Sequence, residues 1–167
     1  VAGVSFEAAR GAITAVVGPN GSGKSTLIRA LIGRMPVMAG RISIDGAPTA
    51  SLRAEEIARR VAVVTQREEL AFPLMVDEYV GLGRFPHLGM WHAAGERDRN
   101  AVHQPITEAG VGNLRDRRIA ALSGGEWQRV RLALARAQGG DALLLDEPTA
   151  FLAVGHALAV LKLLHRV

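Results

Sequence analysis

The sequence predicts an α/β domain built on a largely parallel sheet. Short β-branched or apolar runs alternate with amphipathic segments along the chain, and glycine-rich turns fall where those runs end. At 167 residues, 49% of them hydrophobic, the chain is long enough for one domain with a real core.

The first predicted element is a strand, "AITAVVG" (12 to 18), and the second, "KSTLIRALIG" (24 to 33), is a helix with Leu27, Ile28, Leu31 and Ile32 on one face. "RISIDG" (41 to 46) reads as a strand closed by a turn. Ser51 followed by "AEEIARR" reads as a capped short helix before the strand "VAVVTQ" (61 to 66). From 76 to 109 the pattern is mostly helical, broken by Gly81, Gly83, Pro86 and Gly89. A helix over 124 to 138 comes next, with Trp127, Val130, Leu134 and Ala137 at spacings of 3, 4 and 3, and then the buried strand "ALLLD". There is no internal repeat and no low-complexity linker.

Charge and composition narrow the classes. Apolar stretches are interrupted by Arg, Asp or Gly well short of the roughly 20 residues a membrane span needs. The chain lacks cysteine and does not start with a charged segment followed by an apolar one, so a cytoplasmic location is expected. The net charge is +4, and 18 of the 20 basic residues are Arg. They are scattered, and the densest cluster, Arg115, Arg117 and Arg118, encloses Asp116 and contains no aromatic for base stacking. A solvated, lightly basic face is expected, not a nucleic-acid groove.

The strongest motif is "GPNGSGKST" (18 to 26), a strand–loop–helix match to G-x-x-x-x-G-K-[ST]. Gly18, Gly21 and Gly23 let the backbone bend closely round a phosphate. Pro19, Asn20 and Ser22 complete the loop, so that successive N–H groups and the helix start face the β-phosphate oxygens. Lys24 supplies a point charge for the β and γ phosphates, Ser25 a hydroxyl for Mg²⁺, and Thr26 continues the first turn. Together these point to a phosphate-binding loop for a nucleotide with Mg²⁺; the family resemblance described below implies that the nucleotide is ATP.

"LLLDEP" (143 to 148) ends an apolar strand in two carboxylates. In a parallel sheet the C-terminal strand ends share one edge with the phosphate loop. Asp146 is then expected to hold Mg²⁺ through water, and Glu147 to act on the water that attacks the γ-phosphate. Gln66, ending "VAVVTQ", is a polar amide able to reach the same Mg²⁺ or the same water. "LSGGEWQRV" (122 to 130) adds a second helix start, with Ser123 at the N-cap followed by Gly124 and Gly125. One nucleotide has one γ-phosphate, so two phosphate edges in one chain imply a head-to-tail dimer in which each Ser123 edge completes the partner's loop.

In this order, the phosphate loop, Gln66, "LSGGEWQRV" and "LLLDEP" resemble the nucleotide-binding subunits of ATP-binding cassette transporters along essentially the whole chain. "GRFPHLG" (83 to 89) and "EPTAFL" are similar to the importer subgroup for ferric siderophores, haem or vitamin B12. The resemblance implies a RecA-like core over 1–74 and 140–167 and a helical subdomain over about 75–139. It implies ATP hydrolysis coupled to transport, a homodimer around ATP, and membrane permease subunits docking a short helix on residues 75–110. A substrate-binding protein would act indirectly, and the subunit would lie peripherally on the cytoplasmic face of the inner membrane.

By the same resemblance, the adenine-stacking aromatic lies before Val1 and the switch histidine beyond Val167, so the chain is expected to be a piece of a longer one. His87, His92, His103, His156 and His165 are read as ordinary surface or half-buried residues. Ala153 stands where the family has an Asp after the acidic strand, which is expected to slow hydrolysis. A non-transport cassette ATPase, in repair or translation, would share the motifs. The repair type needs a long coiled coil between Lys24 and Ser123, and no sustained heptad pattern fills the 99 positions (123 − 24) separating them. A P-loop kinase or GTPase would lack "LSGGEWQRV".

Overall fold

The computed structural model describes residues 1–65, 72–88 and 95–147. By internal contacts the chain divides into two units, Val1–Ala54 and Glu55–Val167. Gln66, Ala153, Trp91 and the histidines at 92, 156 and 165 lie outside the described residues.

In the first unit, helix α1 spans Lys24–Leu31. It stops two residues short of the expected end because Gly33, at φ 71°, turns the chain left-handed. The Arg34 N–H closes on the Arg29 carbonyl (2.8 Å) and the Gly33 N–H on the Ala30 carbonyl (3.1 Å), which satisfies the last turn. Strands β1 (Ser43–Ile44) and β2 (Ala47–Pro48) pair antiparallel around Asp45 and Gly46. Both turn residues have positive φ, 49° and 79°, the backbone of a tight hairpin whose twist matches its strands.

Two expectations fail in this unit. Residues 12–18 form no strand, and Ile13 and Val17 are exposed. A strand is defined by its ladder, and among the described residues this β-branched run has no strand hydrogen-bonded beside it. Ser51 does not cap a helix either. It closes a 3₁₀ turn, Thr49–Ser51, with its hydroxyl donating to the Pro48 carbonyl at 2.8 Å.

Helix α2 runs over Ala54–Arg60 and leads directly into β3, Val61–Val64. β3 pairs in parallel with β4, Ala142–Leu145, with Val61 opposite Ala142 and Val64 opposite Leu145. The Asp146 N–H donates to the Val64 carbonyl at 2.9 Å and carries the ladder one step further. β4 is half-buried, where a fully buried strand was expected, because among the described residues a strand flanks it on one side alone.

The remaining helices are α3 (Val76–Gly81), a 3₁₀ segment (Leu82–His87), α4 (Glu96–Glu108) and α5 (Gly124–Gln138). α5 spans the predicted residues. Ser123 caps its start, and Gly139, at φ 72°, ends it. Its apolar residues face two ways. Val130, Ala133 and Ala137 pack with Val76, Tyr79, Val80, Ile106, Val111 and Leu114. Leu132 and Ala135 pack on Ala62 and Val64 of β3, with Leu143 and Leu145 of β4 against them. α5 is therefore the wall shared by a helical core and the parallel strand pair.

Gly83 marks where the 3₁₀ segment meets this helix most closely. A Cβ there would lie 2.5 Å from the Leu134 carbonyl oxygen and 3.0 Å from the Gln138 nitrogen, both backbone atoms. Gly83→Ala is expected to lower stability by about 1–3 kcal/mol through overpacking, measured by chemical unfolding. An unchanged unfolding midpoint would show that the contact yields at no cost.

Candidate functional site

The candidate residues fall in three separate pieces, each positioned by its own element. The first is the loop before α1. Gly21 and Gly23 adopt left-handed φ values of 79° and 95°, a region that side chains with a Cβ avoid. A Cβ on Gly18 would sit 2.9 Å from the Ser22 hydroxyl, so the loop folds tightly on itself at that point. Lys24 Nζ donates to the Gly18 and Pro19 carbonyls, each at 2.9 Å, and these bonds hold the ammonium over the loop's mouth.

Gly23 occupies the N-cap of α1 with no side-chain cap, and no acidic residue lies in the first turn. The first intrahelical bond runs from the Leu27 N–H to the Gly23 carbonyl at 2.8 Å, leaving the earlier N–H groups of the turn aimed off the helix start. Bare amides, an ammonium and the Ser25 and Thr26 hydroxyls form a donor set suited to a polyphosphate.

The second piece is the start of α5. The Ser123 N–H donates to Glu126 Oε2 at 2.8 Å, the Ser123 hydroxyl donates to the same oxygen at 2.7 Å, and the Glu126 N–H reaches the Ser123 oxygen at 3.4 Å. The donated N–H first, and the hydroxyl second, hold the Glu126 carboxyl below the usual carboxylate range. Arg117 lies 3.9 Å from the other carboxylate oxygen. This reciprocal cap is a feature the motif reading missed, although the spacing Ser123-x-x-Glu126 is its signature. Gly124 and Gly125 open the helix, so the first side chain of its opening turn is that of Glu126.

Behind that start the helix is anchored by aromatic and charged contacts. The Tyr79 and Trp127 rings lie 4.8 Å apart and tilted by 52°, and the Arg131 guanidinium sits 5.8 Å from the Trp127 ring centroid. Arg131 and Gln128 are both buried, joined by a 3.1 Å bond from Nη1 to Oε1.

The third piece is the end of β4. Asp146 is buried and continues the strand ladder, while Glu147 is exposed with φ 51°. A non-glycine residue in the left-handed region costs on the order of 1 kcal/mol. The acids therefore part company: one is held in the ladder and one is turned outward.

The phosphate loop belongs to the first unit, and Ser123, Asp146 and Glu147 to the second. Within the second unit, α5 joins the Ser123 start to the acidic strand through Leu132 and Ala135 on Leu143 and Leu145. Among the described residues no group of three or more His, Cys, Asp or Glu could hold a metal ion.

The family model described as ABC transporter matches residues 1–150. The chain belongs to the ABC transporter family. It is similar to the iron(3+)-hydroxamate import ATP-binding protein FhuC of Bacillus subtilis, 39% identical over 95% of this chain and 59% of that protein. Hemin import ATP-binding protein HmuV of Nocardia farcinica is 43% identical over 96% of this chain and 55% of its own length. Ferric enterobactin transport ATP-binding protein FepC of Escherichia coli is 35% identical over 96% and 59%.

The chain thus spans between 55% and 59% of the length of these three ABC relatives. Among solved structures, an inward-facing putative metal-chelate type ABC transporter superposes with a TM-score of 0.83 at 30% identity, covering 96% of this chain and 59% of that one. CbiO1 from Clostridium perfringens gives 0.85 at 29% identity, covering 98% and 65%. The ABC fold, a P-loop nucleotide-hydrolase fold, is therefore that of this chain.

Proposed function

We propose that this chain is the nucleotide-binding part of an ABC importer's ATPase subunit, serving an iron-siderophore, haem or cobalamin-type compound. The observation that carries this reading is the presence of two helix starts in one ABC chain. One, at α1, is left without a side-chain cap beside the Lys24 ammonium, and one, at α5, is opened by Ser123, Gly124 and Gly125. The names of the relatives supply the importer class.

In this reading Gly18–Thr26 binds the ATP phosphates, with Pro19, Asn20, Gly21, Ser22 and Gly23 shaping the backbone cradle and Lys24 on the β and γ phosphates. Ser25, Asp146 and Gln66 hold Mg²⁺, which neutralises charge on the phosphates when bound. Glu147 takes a proton from the attacking water, and Gln66 orients that water. Ser123, Gly124 and Gly125 meet the γ-phosphate in the partner's loop, so two copies enclose the nucleotides. A helical subdomain over about 75–139 fits the helical core cluster, whose buried members all fall between Val76 and Ala137.

The membrane permease is proposed to dock on the segment beginning at Met75. Tyr79, at 1% exposed, is core, whereas Leu82 at 37% and Phe85 at 67% are open on the 3₁₀ segment. Leu82→Glu with Phe85→Glu is expected to lower substrate uptake in vesicles by at least about 10-fold, the scale of losing an interface anchor. Calorimetry should find ATP binding unchanged. Full uptake in the double variant would remove the docking surface from this segment, and loss of folding would make both residues core.

A further inference from the structure

The last turn of α5 is gripped from three directions. Arg84 Nη1 donates to the Ala137 carbonyl at 2.8 Å while its Nε donates to Asp98 Oδ1 on α4 at 3.0 Å. His87 Nε2 donates to the Gln138 carbonyl at 2.7 Å. Gln138 Nε2 in turn donates to the carbonyls of Ala58, at 2.6 Å, and Val61, at 3.0 Å, where α2 passes into β3. Arg59 Nε closes the ring on the Pro86 carbonyl at 2.6 Å.

These contacts have a physical rationale. The last carbonyls of a helix have no intrahelical donor and carry the negative end of its dipole, so a guanidinium placed there gains both bonds and charge attraction. The Arg84 and Asp98 side chains are 15% and 18% exposed, so solvent weakens their pairing less than it would at the surface. Asp98 is held below the usual carboxylate range by the Gly95 N–H first and by Arg84 second.

Phe85 lies between the two gripping residues. Its exposed ring is therefore mounted on backbone whose neighbours on either side hold the carbonyls of residues 137 and 138. From there α5 runs about 22 Å, at 1.5 Å per residue, to Ser123. We propose that Arg84 is a positioning residue that carries displacement of the Leu82–Phe85 face into α5, and through α5 to Ser123 and to the strand bearing Asp146 and Glu147. The inference rests on the proposed docking of this face against the membrane subunit.

The test compares the full-length protein alone and assembled with its membrane subunit in lipid vesicles, reading ATP turnover in both states. Arg84→Gln is expected to leave turnover of the free protein within about twofold but to reduce stimulation by the membrane subunit by at least about fivefold, the signature of lost coupling and not of lost chemistry. Arg84→Lys, whose ammonium reaches one of the two acceptors at a time, should restore part of the stimulation. A merely structural role would lower free and stimulated turnover in the same proportion.

Full stimulation in the Arg84→Gln assembly, or proportional loss of both rates, overturns the proposal. Should Arg84→Gln fail to fold, His87→Ala reads the same ratio with one grip removed. A wild-type protein that neither assembles with the membrane subunit nor responds to it would overturn the docking reading itself. A wild type that responds, beside an Arg84→Gln variant that responds equally, overturns this inference alone.

Discussion

Glu147→Gln is expected to lower steady-state ATP turnover by about 10²- to 10⁴-fold, the range a positioned general base contributes. Glutamine keeps the shape and the hydrogen-bonding reach of the side chain but cannot take a proton. The backbone supports the choice of Glu147 over Asp146: Asp146 is buried in line with the ladder, and Glu147 leaves it at φ 51°. Because the substitution removes a proton acceptor and no phosphate donor, Mg-ATP should still bind, and the full-length variant should accumulate as an ATP-bound dimer in light scattering. A variant that turns over at the wild-type rate would move the base elsewhere. One that stays monomeric at saturating ATP would count against the sandwich arrangement.

Lys24→Ala is expected to weaken Mg-ATP binding by about 1.5–3 kcal/mol, or roughly 10- to 150-fold, the worth of a hydrogen bond to a charged group. The ammonium already sits in the loop on the Gly18 and Pro19 carbonyls, so little side-chain entropy is lost when a phosphate arrives. Alanine removes the charge and also the two bonds that hold the loop's bend. Calorimetric titration measures the constant, and a melting curve without nucleotide separates loosening of the loop from loss of the charge. An unchanged dissociation constant would mean that phosphate binds elsewhere.

Elements whose determinants are local were legible in the sequence. α5 could be bounded at both ends because its cap, its opening glycines, its apolar period and its terminating Gly139 all lie within the segment. The β1–β2 hairpin was half legible, since "IDG" announces the turn while the two-residue ladder also needs Ala47 and Pro48, which carry little strand preference of their own. The strand expected at 12–18 was not legible, because a β-branched run states a preference and only a neighbour makes it a strand. Ser51 misled for a related reason: a serine hydroxyl serves a 3₁₀ turn as readily as a helix start.

At the site, the loop and the two acids are read from motifs, whereas the grip on α5 is not. Arg84 and His87 bond to carbonyls 53 and 51 residues away, and no period in either segment encodes that meeting. The apolar cluster after Met75 likewise gave no way to tell Tyr79, which folds inward, from Phe85, which does not.

The Ser123 hydroxyl owns a single hydrogen, and in this structure that hydrogen points at Glu126. What the oxygen offers outward is therefore lone pairs, beside a carboxylate kept ionised by its own helix start. Glu126 is thus a tethered anion that takes both Ser123 donors at the start of α5. In the proposed dimer an incoming phosphate would compete with this carboxylate for the Ser123 donors, and the Arg117 guanidinium lies 3.9 Å from the carboxylate's other oxygen. The effective concentration of this internal rival is fixed by the short stretch of chain between Ser123 and Glu126, so in the proposed dimer nucleotide affinity at the second edge would reflect two anions competing for the Ser123 N–H and hydroxyl.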